Sequence, residues 1–213
     1  MLLTKDDGKH PRLLELNPKG QVPTLEIPPQ SYEEKSWTKT EKLQNINETI
    51  VLKESMDCMV FLNSLADKDV MGTAKDLFRD PTFLSDAMKY DKNIATLFYY
   101  VLIEPTQEKQ REAFVSFATN ITEFLENVYD DGFYKSSTVT AVDFSTIPWM
   151  LRIHVLNHYR PMFKFEDVMD KDTIEKFEKY LARMKALPVV QKTMWDDESA
   201  MNGVYKRYAG EDS

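Results

Sequence analysis

The sequence predicts an α+β unit followed by an all-α unit, and three observations carry that expectation. β-prone runs are confined to the first third of the chain. From Thr73 onward apolar residues recur at spacings of three and four, and the character changes over residues 66–72. The expected domains are residues 1–66 and 73–213.

In chain order, Leu13, Leu14 and Leu16 belong to a short helix, and the Asn-Pro and Lys-Gly pairs of residues 17–20 punctuate a turn after it. Two short aliphatic runs, residues 23–27 (PTLEI) and 48–52 (ETIVL), read as strands. The polar stretch from Pro28 to Asn47 is too long for a tight hairpin and reads as an insertion between them. A helix starts near Ser55, with Met56, Met59, Val60 and Leu62 on its apolar face.

Beyond the boundary, one helix is expected over Lys75–Ile103, with an interruption at Asp80-Pro81. Phe114, Phe117, Ala118, Ile121, Leu125 and Val128 form a single buried stripe on the next. Asp143–Tyr159 and Asp172–Ala186 follow, with Pro148 expected to kink the first, and shorter helices close the chain beyond Pro188.

Composition excludes several functions. A chain with 42% hydrophobic and 29% charged residues folds rather than stays disordered. Its net charge of −8, without a dense Lys/Arg block, argues against nucleic acid or an anionic membrane as partner. Charges at Lys5, Asp6, Asp7 and Lys9 are wrong for a signal peptide, and no apolar run reaches membrane-spanning length. Cys58 is the single cysteine, so no internal disulfide is available and a reducing, cytoplasmic location is expected.

Two short motifs carry chemistry. In residues 17–25, NPKGQVPTL, Val22-Pro23 opens a strand; a cis bond there would turn the Val22 amide and carbonyl toward an extended peptide. The same residues fit a plain turn before an edge strand. Glu54-Ser55 stands between strand and helix. Ser55 as N-cap, with free helix amides, suits a carboxylate, and Glu54 suits an ammonium; the pair also fits simple capping. In the helical half, Thr140 and Asp143 form a capping box, with Val139 and Phe144 at staple positions.

Together, NPKGQVPTL, VLKESMDCMVFLNSL and the box at 140–143 resemble the glutathione transferase family. The implied fold is an incomplete thioredoxin-like domain followed by the all-α C-terminal domain. The resemblance assigns glutathione's cysteinyl backbone to Val22 beside Pro23, and its γ-glutamyl end to Glu54 and Ser55. Residues 147–153, IPWMLRI, resemble the omega class. That class would place Lys9 near the glycine carboxylate, and Trp149 and Arg152 toward the second substrate. From the residues alone, Trp149 is equally a core residue and Arg152 a surface one.

The resemblance implies glutathione as cosubstrate, an electrophile or disulfide as second substrate, and a homodimer. The family's catalytic Tyr, Ser or Cys follows its first strand. This chain begins about where the second strand ends, so that residue has no counterpart. Transferase or thiol-reductase activity in a complete fold, or a non-enzymatic module, are the two expectations. Cys58 reads as a buried hydrophobe rather than a substitute nucleophile. His154 and His158 share a helix face, but no further ligand at suitable spacing suggests a metal.

Overall fold

A computed structural model describes residues 9–27, 49–65, 76–194 and 197–211, and the expected insertion over residues 28–47 lies outside them. The chain divides into two compact units, residues 1–72 and 73–213.

In the first unit, α1 (Pro11–Leu16) places a proline at its first position, where a missing N–H costs nothing. His10 Nδ1 accepts from the Arg12 amide at 3.2 Å. Strands β1 (Leu25–Ile27) and β2 (Ile50–Leu52) pair antiparallel, Leu25 facing Leu52 and Ile27 facing Ile50. Both are shorter than the apolar runs suggest. Pro23 and Thr24 precede the ladder because the Thr24 hydroxyl turns back to the Gln21 carbonyl at 2.8 Å. Helix α2 (Ser55–Leu65) follows.

The second unit is built on α3 (Thr82–Ile103), which packs along α4 (Gln107–Glu126) and α5 (Ala141–Leu151). Phe83, Ala87, Tyr90, Ile94, Phe98 and Val101 bury one stripe of α3. On α4 the stripe is Phe114, Phe117, Ala118, Ile121 and Leu125, as the periodicity predicts. Each fully buried Phe or Ile contributes about 1.5–3 kcal/mol of transfer free energy, so these two faces dominate the unit's stability. Helix α3 starts seven residues later than Lys75, because Pro81 and the Asp80 carboxylate, which accepts from the Thr82 amide at 2.8 Å, set its first turn.

The span Asp143–Tyr159 is two helices, α5 and α6 (Ile153–Tyr159), rather than one kinked at Pro148. The Arg152 amide bonds three residues back to Trp149 at 3.2 Å, which tightens the turn and breaks the axis there. Helices α7 (Lys171–Lys185), α8 (Pro188–Thr193) and α9 (Glu198–Tyr205) complete the unit. Arg160 fastens distant parts of it, donating to the carbonyls of Leu102 at 2.6 Å, Tyr159 at 2.8 Å and Ala209 at 3.4 Å. Among the described residues no helix is long and apolar enough to cross a membrane.

Candidate glutathione site and aromatic cluster

The first unit's candidate site is set by strand register. Because Leu25 faces Leu52, the segments leaving the ladder at that end are Val22–Thr24 on one strand and Lys53–Ser55 on the other. Val22 lies three residues before Leu25 and Ser55 three after Leu52, so the two motifs share one end of the hairpin. The Val22–Pro23 peptide bond is cis, and Val22 is 55% exposed.

The loop holding Val22 is internally tied. Asn17 is buried, and its side-chain amide donates to the Gln21 carbonyl at 3.1 Å and to the Thr24 hydroxyl at 3.2 Å. Gly20 has φ +60°, and a Cβ there would meet Lys9 Cδ at 2.2 Å, so both backbone and space require glycine. Lys9 lies across it and donates from Nζ to the Lys19 carbonyl at 2.8 Å. Lys9 therefore belongs to the same loop as Val22. The sequence reading treated Asn17 only as turn punctuation; its burial, the signal of its role, is not visible in one sequence.

On the other side of the hairpin end, the Glu54 carbonyl accepts from the Cys58 amide at 3.0 Å. Glu54 thus takes the cap position, and Ser55 is the first helical residue rather than the N-cap, because the α-helical ladder begins one residue earlier. Ser55 and Glu54 remain exposed. Cys58 is buried, with its thiol toward the Leu52 carbonyl at 3.9 Å. Burial, and then Asp57 beside it, pushes its thiol pKa up. It is a core residue, as expected.

In the second unit, Trp149 is half-buried within an aromatic cluster. Its ring lies 5.7 Å from Phe98 and 5.6 Å from Tyr99, and its indole N–H reaches Asp91 at 3.5 Å. Tyr205 and Tyr208 continue the cluster, at 6.0 Å and 5.1 Å from Tyr99. The Arg152 guanidinium lies 5.1 Å from the Trp149 ring. Burial pushes the Asp91 carboxyl above its ordinary value, and the Trp149 N–H offsets part of that. Burial likewise raises the Tyr205 phenol, with Arg152 pulling the other way. Tyr99, Tyr205, Tyr208 and Asp91 escaped the sequence reading, since helices far apart in the chain bring them together.

His154 Nδ1 faces the Leu151 carbonyl at 3.0 Å, whereas His158 is exposed and packs on Tyr159. Among the described residues no three His, Cys, Asp or Glu side chains form a metal-sized group. The largest described cavity, about 620 Å³ between residues 128–131 and α7, shares no residue with either candidate region.

Comparison with protein-family models and with curated proteins finds no match. Solved structures do match. The chain is similar to glutathione transferase Omega 3C from Trametes versicolor, with a TM-score of 0.64 over 94% of this chain and 75% of that one, at 19% identity. The fold is that of the glutathione transferases. A glutathione transferase from Burkholderia graminis, solved with two glutathione molecules per subunit, is similar at TM-score 0.53 and 14% identity, over 86% of this chain and 70% of that one. Within the glutathione transferase fold, the two-stranded first unit is an incomplete thioredoxin-like domain and the second the all-α domain.

Proposed function

We propose that this chain binds glutathione at the shared end of β1 and β2, as a glutathione transferase-like protein. The observation that carries the reading is the antiparallel register, which puts Val22-Pro23 and Glu54-Ser55 at one end of a hairpin. The exposed Val22 backbone pairs with the cysteinyl residue. Glu54 takes the γ-glutamyl ammonium, and Ser55 with the first amides of α2 takes its carboxylate. Lys9 supplies the charge for the glycine carboxylate. Trp149 and Arg152 serve the second substrate, an electrophile or a disulfide. Glutathione-dependent transfer or thiol reduction in a complete fold is the corresponding activity. A cytoplasmic homodimer completes the reading on resemblance alone.

Calorimetry tests it. Glutathione is expected to bind weakly, and Ser55→Ala to weaken binding about tenfold through loss of one hydrogen bond to a charged group. Absence of heat at millimolar glutathione would overturn the reading. A second reading, a non-enzymatic binding or assembly module, is favoured by Cys58, whose buried thiol has the wrong environment for a nucleophile. Glutathione binding without turnover of an electrophile or disulfide selects it.

A further inference from the structure

A cavity of about 360 Å³ lies among α5, α8 and α9 of the second unit. Its wall is mainly apolar: Phe144, Ile147 and Leu151 from α5, Val190 and Met194 at α8, and Met201 from α9. Three further side chains with polar atoms line it, Arg152, His154 and Thr193. Two of them are committed elsewhere. The Thr193 hydroxyl donates to the Val189 carbonyl at 2.9 Å, and His154 Nδ1 to the Leu151 carbonyl at 3.0 Å, while His154 Nε2 is closed off from solvent.

Arg152 differs. Its guanidinium is half-buried, and its side chain has the Trp149 ring as neighbour but no carboxylate or carbonyl partner among the described residues. A guanidinium holds a permanent charge and five donors in one plane, and an aromatic face satisfies none of the donors. Taking such a group partly out of water without an anion is unfavourable, and a carboxylate reverses that by a two-pronged contact. The net charge of −8 opposes an anion at long range, but screening within about 8–10 Å leaves the local contact to decide.

We propose that this cavity binds an apolar carboxylate, with its hydrocarbon or aromatic body against Phe144, Leu151 and Met201 and its carboxylate on Arg152. The proposal deepens the second-substrate reading of Arg152, on which it rests, by naming the class of molecule: an apolar or aromatic acid. The volume is near the lower end for small-molecule sites and fits a single ring with a short chain.

The probe pair is 4-phenylbutanoate and its neutral counterpart 4-phenylbutanamide, titrated calorimetrically into the full chain. The acid is expected to bind at least about tenfold tighter, a ratio typical of one added charge-assisted contact. Arg152→Met is expected to reduce the acid to the affinity of the amide and leave the amide unchanged. Equal affinities in the unmodified chain, no binding of the acid, or an equal loss of both ligands in Arg152→Met each overturn the proposal. The wild-type comparison decides the question even if the variant does not fold. A glutathione titration of the same sample separates the two claims: acid binding without glutathione binding removes the proposed function and leaves the cavity's ligand class standing.

Discussion

Asp143 shows how much one buried carboxylate can organise. It accepts from the Thr140 amide and hydroxyl, both at 2.8 Å, from the Tyr134 amide at 3.1 Å and from the Tyr180 hydroxyl at 3.0 Å. Burial pushes its pKa up, and these donors pull against that. It therefore does more than close the capping box with Thr140: it joins the 133–136 turn and α7 to the start of α5. Thr140→Ala, which removes the cap hydroxyl, should cost about 1 kcal/mol. Asp143→Ala, which strands several buried donors, should cost about 3 kcal/mol or more. Urea unfolding of the two variants checks this, and equal losses would mean that the links to Tyr134 and Tyr180 contribute nothing.

At the scale of elements, α7 offers a pH test. Asp170 caps it, accepting from the Thr173 amide at 2.8 Å and the Thr173 hydroxyl at 3.0 Å. Those bonds hold its pKa below the ordinary value. A folded pKa below the unfolded one gives stability that is present above the unfolded pKa and lost as pH falls through the folded value. An NMR titration of carboxyl carbons should find Asp170 below the usual aspartate midpoint, and Asp170→Asn should flatten the acid-side loss of helix α7. An unshifted Asp170 midpoint would refute the capping account. The α7 helix itself was legible from residues 172–186, because apolar spacing is a local signal. So were the capping box and the hairpin motifs, each contained in a few consecutive residues. The break at Arg152 was not, since it depends on which carbonyl an amide selects. Nor was the gathering of Trp149, Tyr99 and Tyr205, which only the packing of α3, α5 and α9 creates.

For the molecule as a whole, the two units differ in self-sufficiency. Among the described residues the first has a two-stranded sheet, and an isolated two-stranded hairpin is marginal in water. The second contains the long stripes of α3 and α4 and a nearly fully buried α5. Residues 73–213 expressed alone should keep a helical circular-dichroism spectrum and a cooperative melt, whereas residues 1–72 alone should show neither. A fragment 73–213 without cooperative unfolding would show that its stability is borrowed.

Arg160 gives this architecture a temporal side. It binds the carbonyl at the end of α3 and the carbonyl of Ala209 with the same nitrogen, and the Tyr159 hydroxyl donates to the Asn202 carbonyl at 2.8 Å. Along a chain emerging from the ribosome, α3 to α7 appear well before residues 202–209. Until those residues arrive, Tyr99 and Phe98 lack the aromatic partner Tyr205 and lie open to other chains. The bundle is thus most vulnerable to misassociation during the last stretch of its own synthesis.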